Sequence, residues 1–128
     1  MRDFDMVSGK VVNAAIKVHT ALKPGLLESV YERCLQYELQ KSGLKAETQV
    51  GLPVVYQEIR LEIGFRLDML VEDKVIVELK AVETILPIHE AQLLTYLRLS
   101  HKPVGLLMNF NVYRLKDGIK GFISRDLL

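Results

Sequence analysis

The chain has 128 residues, of which 49% are hydrophobic and 26% charged, and its formal net charge is +1. These are ordinary globular values, sufficient for one core without disulfide or metal staples. They exclude a disordered chain, a collagen-like repeat and a strongly basic protein that coats nucleic acid.

The near-neutral total hides an asymmetry. Residues 1–97 carry 11 basic and 14 acidic side chains, whereas residues 98–128 carry six basic (Arg98, Lys102, Arg114, Lys116, Lys120, Arg125) and two acidic, Asp117 and Asp126. The basic end either forms a basic face or is spread over solvated surface. The single cysteine, Cys34, rules out an intrachain disulfide and a four-cysteine metal site. No apolar run reaches the roughly 18 residues of a membrane span. Met1 to Asp5 is charged and leads into no signal-peptide core. The expectation is therefore a cytoplasmic, membrane-free protein made of one domain over residues 1–128.

In chain order, residues 4–22 predict a first helix. Val11, Val12, Ala15, Ile16, Val18 and Leu22 keep an apolar side, and Asp3, Asp5 or Ser8 is available to cap it. Lys23-Pro24-Gly25 breaks that helix. A second runs from Leu26 to Ser42, with Leu27, Val30, Tyr31, Cys34, Leu35 and Leu39 inward and Gly43 as its stop. The period then changes to two. Residues 46–50 predict a strand, Pro53 interrupts, and residues 54–57 and 60–71 predict two more. Val75 to Lys80 reads as a short central strand. Pro87 opens a third helix to Leu99, and residues 103–109 predict a further buried strand. Residues 112–115 and 119–123 flank Asp117-Gly118, a hairpin signal. The predicted order is ααββββαβββ, a mixed α/β or α+β sheet with helices packed on it.

The chemistry-bearing residues gather on the hairpin of 60–71 and 75–80. Strict alternation puts Ile63, Phe65, Leu67 and Met69 on one face and Glu62, Gly64, Arg66 and Asp68 on the other. A turn at Glu72 to Lys74 pairs Val71 with Val75 and Met69 with Val77, which sets Asp68 opposite Glu78. Two carboxylates about 4.5–5.5 Å apart repel. A cation between them removes that cost, and Mg²⁺ takes carboxylate oxygens while keeping several waters. Lys80 shares the Glu78 face and is placed to steady a water or a phosphate. The competing reading is a solvated face with Lys80 or Arg66 as salt-bridge partner.

Three other positions bear on the same question. Glu28 stands in the first turn of the second helix, where the helix dipole favours an acid. Tyr31 follows it by three residues and is expected in the core. Gln92 and Tyr96 share a face of the third helix at i and i+4. His89, one turn earlier, is a weaker candidate.

Gly25-Leu26-Leu27-Glu28-Ser29-Val30-Tyr31 resembles the Gly-x-x-Glu-x-x-Tyr signature of the GxxExxY protein family, within the PD-(D/E)XK nuclease superfamily. The resemblance continues through Gly64 to Asp68, Val75 to Glu83, Pro87 to Leu97 and Gly105 to Phe110, and covers roughly residues 5 to 123. One departure is Lys23, where the family reads Leu-Gly-Pro-Gly.

The resemblance implies a restriction-endonuclease-like core, a central mixed sheet flanked by helices. It implies Asp68 and Glu78 as metal-binding acids, Glu28 as the helical acid completing the metal site, and Lys80 as the catalytic lysine. Gln92 and Tyr96 are similar to the Gln-x-x-x-Tyr element of RecB-like nucleases, which lies beside the active site; Gln92 would join the catalytic residues, and Tyr31, Arg66 and Tyr96 would support the site or the nucleic acid. The implied activity is Mg²⁺-dependent hydrolysis of phosphodiester bonds in nucleic acid, DNA first, with Mn²⁺ able to substitute. Fold is not function, so two alternatives stand beside it. One is a catalytically silent nucleic-acid-binding or adaptor module. The other is a homodimeric resolvase of branched DNA (Holliday junctions). A chain this short is also compatible with a partner protein that supplies targeting.

Overall fold

The computed structural model describes residues 3–125. Asp126 and the two residues on either side of the described span at its ends, Met1-Arg2 and Leu127-Leu128, lie outside it, so the expected domain is described without them. The elements are α1 (Asp3–Leu22), α2 (Glu28–Lys41), β1 (Ala46–Tyr56), β2 (Ile59–Val71), β3 (Val75–Lys80), α3 (Pro87–Ser100), β4 (Val104–Asn109), a 3₁₀ turn (Leu115–Gly118) and β5 (Ile119–Ile123).

One five-stranded sheet runs in the order β1-β2-β3-β4-β5. β3 and β4 are parallel and joined through α3, while the other neighbours are antiparallel. Helices cover both faces. Val11, Ala15 and Val18 of α1 and Tyr31, Leu35 and Leu39 of α2 pack on Val75, Val77, Leu79, Leu106 and Met108. Leu93 and Leu97 of α3 pack on Leu70, Ile76 and Leu107 of the opposite face. β3, buried along nearly its whole length, is the central strand that its apolar run predicts. No helix among the described residues is long and apolar enough to cross a membrane.

Several expectations are corrected. The predicted strands 46–50 and 54–57 are one strand, β1, whose pairing with β2 shifts between Leu52 and Val54 around Pro53. Gly64 makes that irregularity feasible, because a Cβ there would lie 2.2 Å from Val54 Cγ2. Residues 112–115 are not a strand. Asp117-Gly118 ends a 3₁₀ turn, and β5 pairs back onto β4, so the Asp-Gly pair closes no hairpin. In α1, Ile16 faces solvent while Val7 completes the inner stripe. Leu27 precedes α2 and is 73% exposed. Ser8 Oγ donates to the Asp5 carbonyl within α1 rather than capping its start.

The most consequential correction concerns β2. Met69 and Val71 face α1 and α2, yet Leu67 joins Leu70, Ile76 and the half-buried Phe65 on the α3 side. The two-residue alternation therefore breaks between Met69 and Leu67, at Asp68. β1 turns over at the same level, with Ala46 on the α1–α2 side and Val50 on the α3 side. Gln49 lies between the Thr48↔Met69 and Val50↔Leu67 pairs and has a φ of 52°, the left-handed region. A non-glycine residue there costs on the order of 1–2 kcal/mol and turns the strand's faces over.

Candidate active site

The turn at 72–74 sets the register as its spacing predicts, with Val71↔Val75 and Met69↔Val77 paired. Beyond Met69 the regular ladder stops, and side chains take over. The Asp68 N–H donates to Glu78 Oε1 at 3.2 Å, and the Leu79 N–H donates to Asp68 Oδ2 at 2.9 Å. Each carboxylate thus fills a gap left by the parting strands. Glu78 is 4% exposed and Asp68 is half-buried.

Burial is the largest cause pushing the Glu78 carboxyl up to about 9, followed by the negative charge and side-chain hydrogen bond of Asp68. The Asp68 backbone bond and the positive charge of Lys80 oppose that rise. Burial and the neighbouring negative charge thus favour the protonated form of Glu78 beside Asp68. Every buried side-chain polar atom among the described residues has a hydrogen-bond partner.

Lys80, half-buried, sits at the C-terminal end of β3 beside Asn109 of β4. Its carbonyl accepts from Phe110 N–H. The next residue brings in α2, because Glu28 Oε2 accepts from Ala81 N–H at 3.2 Å. Tyr31 explains why Glu28 starts its helix there. Its buried hydroxyl donates to the Lys23 carbonyl at 2.6 Å and accepts from Leu26 N–H at 3.1 Å. Its ring stacks on Phe110 with centroids 4.5 Å apart. The Gly-x-x-Glu-x-x-Tyr spacing thus lets the tyrosine pin the loop that delivers the glutamate. Asn109 clamps the segment after β3, its side chain exchanging hydrogen bonds with both backbone groups of Val82.

From the other side, Tyr96 stacks on Phe65 at 4.8 Å, and the charges of Glu78 and Asp68 reach its phenol. Burial first, and those charges next, raise the Tyr96 pKa and keep the phenol protonated. Gln92 is exposed one turn earlier on α3, and Arg66 is exposed on β2 opposite Gly51. His89 has a structural use: its Nδ1 accepts from Leu86 N–H at the start of α3.

Glu32 is absent from the sequence-based set. It is half-buried on α2, one turn after Glu28. Burial, the largest cause, raises its pKa, and the charges of Asp68 and Glu28 add to the rise, whereas a hydrogen bond from Gln49 lowers it. Gln49 Nε2 donates to both Glu32 oxygens, at 3.2 and 3.4 Å. The left-handed residue that turns over β1 is therefore also the one that anchors Glu32. The Glu28/Glu32 spacing of four, a like-charge pair that disfavours a helix, is the sequence signal that could have found it.

Among the described residues, no three His, Cys, Asp or Glu side chains converge tightly enough to hold a metal ion by themselves. The two carboxylates that do meet suit a hard cation that takes one or two carboxylates and keeps its waters, as Mg²⁺ does. The basic end is partly neutralised. Lys102 pairs with Asp73 at 2.9 Å, Lys120 with Glu90 at 2.8 Å and Arg114 with Asp117 at 3.5 Å.

A mixed sheet with helices on both faces, and an acid pair and a lysine at the end of its central strand, defines a restriction-endonuclease-like core. The PD-(D/E)XK nuclease superfamily matches residues 5–122, and the chain belongs to it. Comparison with curated proteins finds no match. Among solved structures, the chain is similar to the crystal structure of SSO0001, with a TM-score of 0.52 and 23% identity over 76% of this chain and 49% of that one. The likeness is one of fold, and the chain spans about half the length of that structure.

Proposed function

We propose that the protein is a divalent-metal-dependent nuclease that hydrolyses phosphodiester bonds, with DNA as its substrate and Mg²⁺ or Mn²⁺ as its cofactor. One observation carries this reading. The buried Glu78 is forced against the half-buried Asp68, at the cost of a carboxyl that favours its protonated form. A structural role would be met at lower cost by an ordinary backbone ladder. Superfamily membership supports the same activity.

In this reading the carboxylates of Asp68 and Glu78 would hold the cation, and Glu28 stands beside them at Ala81. When bound, the cation supplies charge neutralisation at phosphorus and acidifies water. Lys80 donates hydrogen bonds from its ammonium group to the attacking water or a non-bridging phosphate oxygen. The water's oxygen bonds to phosphorus in line, the ester P–O bond opposite breaks, the water's proton leaves to solvent, and the departing oxygen takes a proton from solvent to leave as the alcohol. Tyr96, still protonated, orients an oxygen of the acid pair or of the substrate. Glu32, anchored by Gln49, extends the negative potential from Asp68 towards Glu28.

The test is cleavage of end-labelled single-stranded, duplex and branched DNA with Mg²⁺ or Mn²⁺. The parent protein should cleave, and Glu78→Ala and Lys80→Ala should lose at least about 100-fold, the scale of removing one electrostatic group. Equal cleavage by the variants would overturn the site. Metal-independent binding without cleavage would favour an adaptor on the same fold.

A further inference from the structure

A groove of about 660 Å³ opens between the end of α1, the loop before α2 and the segment after β4. Its lining includes Lys23, Arg114, Lys116, His19 and Tyr113, and no carboxylate. We infer that this groove is the path of an unpaired strand of the substrate leading into the Asp68–Glu78 site. The inference rests on the nuclease reading and extends it to the form of the substrate.

Position is the first argument. β3 and β4 are parallel, Lys80 closes the C-terminal end of β3, and residues 113–116 of the groove lining follow the C-terminal end of β4. Phe110, itself fully buried, ties the backbone of the two places together: its N–H donates to the Lys80 carbonyl, and its carbonyl accepts from His19 of the groove lining at 3.1 Å. Lys23, at the rim, is tied by its carbonyl to Tyr31 on the helix that presents Glu28.

Charge is the second. Three cations with no acid in the lining suit a phosphodiester backbone. Arg114 does have Asp117 at 3.5 Å, but both side chains are 62% exposed, so a phosphate can compete for the guanidinium.

The third is Tyr113, which is 93% exposed. An uncovered aromatic beside a cationic groove is the element on which bases stack in sequence-tolerant single-strand binding. A base can stack there only when it is out of a duplex, which is why the proposed strand is unpaired.

The walls are also held in place. His19 Nε2 lies 3.1 and 2.9 Å from the carbonyls of Phe110 and Val112, so it carries the proton and donates to both. The segment bearing Tyr113 and Arg114 is thereby fixed to α1 through the buried His19, which lowers the ordering cost of binding.

The experiment is fluorescence anisotropy of the full chain with a labelled single-stranded DNA and the same sequence as a duplex, in EDTA, across a salt series. Lys23, Tyr113, Arg114 and Lys116 are all exposed, so their substitution leaves the core intact. The single strand should bind more tightly. The triple variant Lys23→Ala/Arg114→Ala/Lys116→Ala should flatten the salt dependence by about two units of slope. Tyr113→Ala should weaken binding about tenfold, and Tyr113→Phe should restore it. Unchanged binding in these variants, beside a parent enzyme that cleaves and a Glu78→Ala variant that does not, overturns the groove and leaves the nuclease reading intact. Tighter binding of duplex overturns the unpaired strand. A parent protein that neither binds nor cleaves DNA overturns both.

Discussion

Asp68 and Glu78 each hydrogen-bond the other's strand through a carboxylate: Glu78 Oε1 accepts from Asp68 N–H, and Asp68 Oδ2 accepts from Leu79 N–H. The pair therefore serves as the last rung of the β2–β3 ladder and as a pocket of negative charge. Structure and proposed chemistry pull against each other there, and most tests of the account come from that tension.

The first concerns stability without metal. Glu78 titrates near 9 when folded, against an ordinary value of 4.5. Below about pH 4.5 both folded and unfolded chains keep the proton, and the group adds no pH dependence to stability. Between 4.5 and 9 unfolding releases a proton, so folded stability falls as pH rises, by up to about 1.4 kcal/mol per unit. Glu78→Gln keeps an accepting oxygen and removes the titration. Thermal melts in EDTA should show the variant more stable than the parent at pH 8 and close to it at pH 4.5. A parent whose stability is as flat with pH as the variant's would contradict the burial argument.

Cation binding should displace the Glu78 proton. Mn²⁺ affinity is expected to rise about tenfold per pH unit below 9, since only the ionised pair binds. Calorimetry in two buffers of different ionisation enthalpy should report about one proton released per Mn²⁺. Binding without proton release would place the cation elsewhere.

Gln49 has two separable effects. Gln49→Gly relieves the left-handed backbone but loses the bond to Glu32, whereas Gln49→Ala loses the bond and keeps the strain. Chemical denaturation should show the glycine variant more stable than the alanine variant by about 1 kcal/mol. Both should cleave DNA about tenfold more slowly than the parent, the usual scale for loss of an orienting partner. Full activity in both would reduce Gln49 to a backbone role.

Tyr31→Phe should cost about 1–2 kcal/mol, because the buried hydroxyl makes two hydrogen bonds and the Lys23 carbonyl and Leu26 N–H lose their partner. A melting temperature lowered by several degrees is the expected reading. No change would mean that water replaces the hydroxyl and that the loop before Glu28 is not held by Tyr31.

Much of this was legible in the sequence. The turn at 72–74, the Met69↔Val77 register and the central position of β3 follow from spacing and alternation. Those local rules brought Asp68 and Glu78 together. What was not legible is the break in alternation at Asp68, because it depends on a left-handed Gln49, a conformation that no pattern of apolar residues announces. Glu32 was missed for the same reason, since its partner comes from a strand 17 positions away that reaches it only after that turn. The false hairpin at Asp117-Gly118 shows the opposite failure. A strong local turn signal was used to end a 3₁₀ turn, while β5 found its partner in β4.

The most direct test of the central claim is an anomalous diffraction map of crystals soaked in Mn²⁺, for the parent and for Glu78→Ala. The account predicts a peak between the Asp68 and Glu78 carboxylates in the parent and none in the variant, with DNA cleavage lost alongside it. An empty site in the parent at saturating Mn²⁺, or a peak and cleavage that survive Glu78→Ala, would contradict it.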